Sequence, residues 1–487
     1  MDKTKISDLA SSMQTKEDLL ALLNRIKKEE MGEMVDAGYK FHSFTMKQLK
    51  YYSNPNHDTH RYRQFKIKKK TGGFRQITAP HNKSFKVLLR ATNEILKALY
   101  KPSPYAMGFI EGRSVVSNAS VHVGQNYVFN IDLKDFFPSV EQARVWKRLQ
   151  AKPYNIPAQI ANIIAGLCSM RITREVVNEN AKHEYDKYFA YVLPQGAPTS
   201  PILTNMICER LDYYLSGLAR RFGLHYTRYA DDITFSSMHY VYSKNGVFRT
   251  ELKRIITEQG FTINDSKTRL QKKGKRQEVT GLVVCEKLNV TQKYIREVRT
   301  ILHIWEKYGY EDAYSRFLPI YKEEKGHVKK GNPDLINVID GKLLYLKMVK
   351  GENDPVYTKL NNRFQRLVDD VLYNKKTNSR GTIFVKTYKL SDFEQDNSYS
   401  TISIEMKEDG KPYGYFISGG EKQNVSVDSK LKAEDLLQKE ILAISLCRGA
   451  DERTFWLIHK LNRINVPPQK SVDIDELIRD MDSLLNI

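Results

Sequence analysis

The chain has 487 residues, a formal net charge of +21 and a pI near 9.4. Its length supplies apolar material for about three domains with real cores, which excludes a disordered tail. A positive field of this size makes nucleic acid the first partner to consider, and the 29 Tyr and 20 Phe suit base stacking beside phosphate neutralisation. The competing interpretation is a ribosome-like or merely soluble basic protein.

The cysteines and the hydropathy pattern indicate the compartment. The four cysteines lie far apart, without a CxxC spacing or a neighbouring His cluster, which is typical of reduced core residues rather than disulfides or zinc ligands. From Met1 the chain leads into an amphipathic helical pattern, and no long apolar run occurs. We therefore expect a cytoplasmic protein that is neither secreted nor inserted in a membrane.

The first part of the chain changes from a helical to a strand pattern. Residues from about 5 to 50 have the spacing of helices with mixed charge. The runs 64–70 and 74–80 flank a Gly-containing turn and predict a hairpin with many cations. Such charge is usually a solvated face. Beside a site that binds a triphosphate, Lys70 and Arg75 are candidates for gripping its phosphates.

An acid ends the next strand pattern. Asp132 follows the β-rich apolar run that begins with Tyr127, which places it near the end of a buried strand. Buried strands rarely carry an unpaired acid, because desolvating a carboxylate costs free energy unless a cation or hydrogen-bond donors compensate.

A loop rich in Pro and Gly, 193–201, comes directly before an apolar helix that begins near Ile202. The backbone amides of this loop and the Gln195 side chain are candidates for contacting a bound nucleotide or template base. The loop alone is weak support for that interpretation. Its position between Asp132 and a second acidic motif strengthens it.

That second motif is Tyr229-Ala230-Asp231-Asp232. Alternating residues on both sides predict a hairpin with Asp231 and Asp232 at its turn, although acids are common at turns for local hydrogen-bonding reasons alone. If the Asp132 strand lies beside this hairpin, the three acids can hold two Mg²⁺ ions. Such a pair stabilises both the attacking and the leaving oxygen of a phosphoryl displacement, which is the chemistry of a polymerase.

The segments that follow are basic. Lys267 comes after a short strand and is a candidate for protonating or neutralising a leaving pyrophosphate, with a plain surface lysine as an equally good interpretation. From Tyr294 to about Asn374 the pattern is helical and basic, which suits a duplex phosphate track, although a solvated helix face is the default.

A polar, turn-rich linker at 374–381 marks a domain boundary. Beyond it we expect a small α+β module with strands at 382–386 and 400–404 and apolar helices at 433–446 and 474–485. Its sequence contains no catalytic constellation.

The order of these landmarks resembles the reverse transcriptase family over roughly residues 60 to 310. In two details the sequence resembles one subgroup of this family, the bacterial retron reverse transcriptases and their antiviral relatives. Residues 118–122 fit its Asn-Ala-x-x-His signature, and residues 279–281 fit its Val-Thr-Gly signature. Taken alone, His122 is more often a hydrogen-bonded structural histidine than a catalytic base.

The resemblance implies a fold of α+β class, a right-hand polymerase with fingers, palm and thumb, followed by an additional C-terminal α+β domain. The predicted division is an N-terminal helical lead-in at 1–55, fingers and palm at 56–290, a helical thumb at 291–376 and an accessory domain of unknown role at 377–487.

The resemblance also implies roles for single residues. Asp132, Asp231 and Asp232 would be the catalytic carboxylates and the ligands of two Mg²⁺ ions. Arg75 would contact the triphosphate and Gln195 the nascent base pair. Phe137 would be the steric gate that crowds a 2′-hydroxyl and so selects deoxynucleotides, with a core phenylalanine as the alternative.

The implied activity is RNA-directed DNA synthesis from dNTPs, with a structured non-coding RNA as template, a DNA product and a role in antiphage defence. A homo-oligomer and an associated effector protein are both open. Two other interpretations compete: a maturase-like or RNA-synthesising polymerase, and a non-catalytic RNA-binding scaffold. The Phe137 gate argues against the first, and the three aspartates argue against the second.

Overall fold

The computed structural model describes residues 2–30, 41–57, 61–68, 72–177, 185–325, 331–373, 383–390, 402–406, 412–418, 421–427, 442–448 and 454–460. The chain folds into two compact units, residues 1–291 and 292–487. The finer division predicted at residues 55 and 376 stays a prediction. Within the described residues, none of the helices is both long and apolar enough to cross a membrane.

The first unit combines helices with short antiparallel sheets. Its helices are α1 (Lys3–Ser12), α2 (Lys16–Glu30), α3 (Met46–Ser53), α4 (Lys83–Leu99), α5 (Val115–Ser120), α6 (Gln142–Gln150), α7 (Ala158–Cys168), α8 (Ser200–Arg221) and α9 (Val247–Glu258). Its strands are β1 (Tyr62–Lys68), β2 (Phe74–Pro80), β3 (Tyr127–Asp132), β4 (Met170–Val177), β5 (Tyr185–Val192), β6 (His225–Tyr229), β7 (Asp232–Ser237), β8 (Arg269–Lys272), β9 (Glu278–Val279) and β10 (Leu282–Val283).

The central sheet of this unit has the strand order β6-β7-β3-β8, and all of its neighbours are antiparallel. Alternating apolar residues give β3 and β7 a shared buried face, on which Phe129 lies opposite Phe235. Helix α9 packs against this face, because the Phe248 ring makes edge contacts with both aromatic rings. Apolar packing against α9 thus holds β3 and β7 in place.

Two separate hairpins accompany the central sheet, one before β3 in sequence and one between β3 and β6. Strands β1 and β2 pair antiparallel, which confirms the predicted cation-rich hairpin, and β4 pairs with β5 in the same way. The N-terminal helices are amphipathic and bury one side in the core of this unit, through Leu19 and Leu23 of α2 and Leu49 of α3.

The second unit begins with helices and continues with a sheet. The helices are α10 (Gln292–Tyr308), α11 (Tyr310–Lys325), α12 (Leu335–Lys350) and α13 (Pro355–Tyr373). The strands are β11 (Ile383–Lys389), β12 (Ser403–Met406), β13 (Pro412–Ser418), β14 (Glu421–Val427), β15 (Leu442–Arg448) and β16 (Thr454–Lys460). Their order is β11-β15-β16-β14-β13-β12, in which only β14 and β16 are parallel among the described strands.

One predicted element of this unit is wrong in part. The apolar run assigned to a helix at 433–446 ends in strand β15, which begins at Leu442 and pairs with β11 and β16. Leu442 and Ile444 are both buried, which is the period of a strand, and neighbours on both sides satisfy its backbone. Residues 433–441 and the helix predicted at 474–485 lie outside the described residues.

Candidate active site

The central sheet brings the three predicted aspartates together. Asp132 is the last residue of β3 and lies directly opposite Asp232, the first residue of β7. Asp231 precedes Asp232 at the hairpin turn, and its carbonyl accepts a hydrogen bond from the Leu133 amide over 3.0 Å. The prediction that the Asp132 strand lies beside the acidic hairpin is confirmed.

The electrostatics of this edge reflect three like charges in a cleft. Partial desolvation, together with the neighbouring charges of Asp231 and Asp132, raises the pKa of Asp232 to about 6. Desolvation and the Asp132 charge also raise the pKa of Asp231. Solvent reaches the Asp232 side chain, but the surrounding protein removes part of its hydration. A cation at this edge would relieve the repulsion.

Asp132 is tied to the segment that follows helix α9. Its Oδ1 accepts from the Lys267 Nζ over 2.7 Å, and its Oδ2 accepts from the Asn264 Nδ2 over 3.0 Å. The Asn264 amide also donates to the Asp132 carbonyl over 2.8 Å. The Lys267 side chain is 59% exposed, so it can turn away from Asp132.

The donor chemistry of this cluster fits a divalent cation. Within the described residues no group of three or more His, Cys, Asp and Glu side chains is already arranged around a metal position. The two oxygens of Asp132 accept hydrogen bonds from Lys267 and Asn264 instead. Three neighbouring carboxylates are nevertheless the oxygen donors that Mg²⁺ prefers, once the lysine releases Asp132.

The predicted nucleotide loop docks on strand β2. The Thr78 amide donates to the Gln195 carbonyl over 2.8 Å. Gly196 has a φ of 134°, and a Cβ there would come within 2.8 Å of the Ile77 side chain and the Thr78 carbonyl. Only glycine therefore allows this close approach. Gln195 itself is half-buried.

Arg75 belongs to the hairpin on which this loop docks. Arg75 is exposed on β2, and its positive charge lowers the pKa of Asp231 against the larger effect of desolvation. Arg75 is thus near enough to the aspartates for an electrostatic effect. Lys70 lies outside the described residues.

Phe137 lines a cavity of about 450 Å³. Its ring is half-buried, with its centroid 6.3 Å from that of Phe109 and 5.5 Å from that of Phe136. Phe136 belongs to the core, whereas Phe109 and Gly196 share the cavity with Phe137. Cations also line it: Arg63, Lys86 and Arg90.

His122 is a structural residue, as the sequence predicts. Its Nδ1 and Nε2 lie 2.7 Å from the hydroxyl oxygens of Ser236 on β7 and Thr227 on β6. Burial lowers the pKa of His122 to about 3, so the ring is neutral and links the two strands of the acidic hairpin. The two retron signatures, residues 118–122 and 279–281, are in contact, because the Asn118 Nδ2 donates to the Thr280 Oγ1 over 3.3 Å.

Sequence reasoning missed a buried ion pair beside the acidic turn. Arg228 on β6 and Asp212 on α8 are 0% and 1% exposed, and their closest N–O distance is 2.7 Å. A local signal existed. Arg228 lies two residues after the buried Tyr226, on the same face of β6, and Asp212 lies seven residues after the buried Asn205, on the same face of α8. Only the fold shows that the strand and the helix face each other.

Comparison with known proteins agrees with this geometry. Residues 67–287 match the family described as reverse transcriptase (RNA-dependent DNA polymerase). The chain is 36% identical to the retron Mx65 reverse transcriptase of Myxococcus xanthus over 306 residues, which are 62% of this chain and 65% of that protein. It is also 36% identical to the retron Mx162 reverse transcriptase of Myxococcus xanthus, over 50% of this chain and 52% of that protein.

A third relative is the retron Ec86 reverse transcriptase of Escherichia coli, at 36% identity over 41% of this chain and 56% of that protein. The chain thus spans between 52% and 65% of the length of these relatives.

The antiparallel sheet with three aspartates at one end of its strands fits a fold of the polymerase palm type, within an α+β architecture. Residues 67–287 match the reverse transcriptase family, and the similar proteins are bacterial retron reverse transcriptases. The resemblance that the motifs indicated is confirmed.

The raised pKa of Asp232 predicts a pH effect on stability in metal-free buffer. Its pKa is about 6 in the folded state against 3.8 ordinarily, so between about pH 4 and 6 the folded state keeps a proton that the unfolded chain has lost. The free energy of unfolding should therefore fall as pH rises through this window. We expect Asp232→Asn to flatten that fall, as measured by urea unfolding in EDTA.

The matched control is Asp265→Asn, which changes an exposed acid of the turn after Asn264 and should keep the wild-type slope. Addition of Mg²⁺ at pH 7 should raise the melting temperature of the wild type more than that of Asp232→Asn, since a ligand of the folded state stabilises it. Equal pH slopes for wild type and Asp232→Asn would show that the carboxyl is not perturbed.

Proposed function

We propose that this protein is an RNA-directed DNA polymerase that copies a structured non-coding RNA into DNA. The observation that carries the proposal is the pairing of Asp132 with Asp232 across β3 and β7, inside a region that matches the reverse transcriptase family. The formal charge of +21 supports a nucleic-acid substrate.

The chemistry follows from the donors at this edge of the sheet. Asp132, Asp231 and Asp232 would hold two Mg²⁺ ions, which supply charge stabilisation for the attacking and leaving oxygens when bound. Lys267, now on Asp132, is positioned to turn towards a leaving pyrophosphate, and its ammonium would neutralise or protonate that group.

Substrate selection would come from the residues around the cleft. Arg75 is exposed on β2, near enough to lower the pKa of Asp231, which suits a triphosphate contact. The Gln195 loop is fixed on the same strand, which supports a role against the nascent base pair. Phe137 lines the neighbouring cavity and would crowd a 2′-hydroxyl there. The phosphate contact of Lys70 stays a prediction from sequence.

The structured RNA template and the role in antiphage defence rest on the resemblance alone. The cytoplasmic location rests on the cysteine and hydropathy patterns, while the homo-oligomer, the effector partner and the role of residues 377–487 are open. They stay predictions beside the proposed chemistry.

Asp231→Asn should abolish DNA synthesis, because a neutral amide removes one of the charges that hold the metal pair. We expect a loss of roughly a thousandfold or more in the rate of dNTP incorporation, in line with removal of a principal electrostatic group. The measurement uses protein purified with its bound nucleic acid, labelled dNTPs and Mg²⁺, followed by DNase and RNase digestion. Glu258→Gln, at the exposed end of α9, is the matched control. Bound RNA without any synthesis by the wild type would favour the scaffold.

Phe137→Ala should relax sugar selection. Removing the ring gives a 2′-hydroxyl room, so we expect the ratio of ribonucleotide to deoxynucleotide incorporation to rise by roughly tenfold or more. Single-turnover incorporation of each nucleotide on one primer and template measures the ratio. Phe189→Ala removes an exposed ring outside the cavity and should leave the ratio unchanged. A wild type that already uses both nucleotides equally would support an RNA-synthesising polymerase instead.

A further inference from the structure

We propose that Arg228 is a positioning residue that fixes the turn Tyr229–Asp232 and thereby places the Asp231 and Asp232 carboxylates. Asp212 and Asn205 of α8 hold Arg228 in place for this task. We call these three side chains and the loop 105–108 the turn clamp. The inference deepens the proposed polymerase function and rests on it.

The turn requires an external restraint. Ala230, its second residue, has a φ of 56°, in the left-handed region that a residue with a Cβ rarely adopts. Ala230 is also buried, at 6% exposure, so its carbonyl has little water to bond. That carbonyl accepts a hydrogen bond from the Arg228 Nη1 over 3.2 Å. A side chain two residues earlier thus reaches forward and satisfies the strained turn.

Arg228 can do this only because its guanidinium is fixed on two sides. Its Nε and Nη2 donate to the two oxygens of Asp212 over 2.7 and 2.9 Å, a bidentate pair. Its Nη1 also donates to the Asn205 Oδ1 over 3.1 Å. The Tyr226 hydroxyl donates to the Asp212 Oδ1 over 2.8 Å. Helix α8 therefore sets the position of the guanidinium relative to the turn.

The backbone of the turn is clamped from the other side by the loop 105–108. The Arg228 amide donates to the Tyr105 carbonyl over 2.8 Å, and the Met107 amide donates to the Arg228 carbonyl over 2.7 Å. A Cβ on Gly108 would come within 2.7 Å of the Ala230 nitrogen, so this contact requires glycine. The Asn205 Nδ2 donates to the Gly108 carbonyl over 2.9 Å. Asn205 thus joins both halves of the clamp.

A buried ion pair alone does not establish positioning, since such a pair contributes little net stability compared with apolar packing. What distinguishes this pair is that Nη1, which does not contact Asp212, is also used. The Arg228 Nη1 donates to the Ala230 carbonyl next to Asp231. A lysine could pair with Asp212, but it lacks the planar guanidinium needed to reach that carbonyl as well. Arg228→Lys therefore separates charge from positioning.

The test measures two quantities on Arg228→Lys: Mg²⁺ binding by calorimetry and single-turnover dNTP incorporation at a series of Mg²⁺ concentrations. We expect a rate loss of roughly tenfold or more at saturating dNTP, and a severalfold rise in the Mg²⁺ concentration needed for half-maximal rate. RNA affinity and the KM for dNTP should stay within about twofold of wild type. Arg254→Lys, an exposed arginine of α9, is the matched control.

Two further variants keep the result decisive. If Arg228→Lys fails to fold, Asn205→Ala takes its place in the test. It leaves the Arg228–Asp212 pair intact and should raise the Mg²⁺ concentration needed for half-maximal rate in the same way. Ala230→Gly added to Arg228→Lys should restore part of the rate, because glycine adopts a positive φ without the Cβ penalty. A folded Arg228→Lys protein with the wild-type Mg²⁺ response would overturn the clamp.

The two proposals can fail separately. If the wild type binds Mg²⁺ at the aspartates but makes no DNA, the polymerase proposal fails while weaker Mg²⁺ binding by Arg228→Lys still supports the clamp. If the wild type makes DNA and Arg228→Lys only lowers the melting temperature, the clamp fails while the polymerase proposal stands.

Discussion

The antiparallel pairing of β3 with β7 is the constraint on which the rest of the site depends. It sets Asp132 directly opposite Asp232, and like charges in that relation destabilise a sheet. Two other pairs of the same ladder are apolar and buried, Ile131 opposite Ile233 and Phe129 opposite Phe235. The apolar ladder offsets the local repulsion, because the register that buries these four side chains leaves the carboxylates no other position. The rest of the fold thus compensates for the repulsion between these carboxylates, as expected of a functional site.

Around the carboxylates, the fold uses buried polar contacts to hold backbone rather than to add reactive groups. The neutral ring of His122 joins β6 to β7, and Asn264 contacts both the side chain and the carbonyl of Asp132. The turn clamp does the same for Asp231 and Asp232 through the Ala230 carbonyl. Each candidate ligand is therefore supported by a residue outside the cleft. Such support lets a cluster of like charges keep one geometry before any cation compensates it.

The parts of this arrangement that the sequence predicts are those governed by local patterns. Alternation around Asp132 and around Tyr229–Asp232 identifies two strands and a turn, and the order of motifs gives the family. Asn205, Asp212 and Arg228 escape prediction, since their roles require the contact between α8 and β6 across the fold. The run before Leu446 illustrates a second limit: a short apolar stretch fits a buried strand as well as a helix, and only its pairing with β11 and β16 decides.

The proposed phosphoryl transfer would explain why this site has more residues that hold the carboxylates in place than residues that could react. The reaction demands little covalent participation from a protein and much accurate placement of charge, since the attacking and leaving oxygens must lie in line. Under that demand, a displacement of the acidic turn by about 1 Å costs more rate than most single contacts supply. A strained residue such as Ala230 persists only where its surroundings over-determine it, and here α8 and the loop 105–108 both do so. The strain at Ala230 and the polar contacts that hold it are therefore two consequences of one requirement, the fixed placement of the carboxylates that follow.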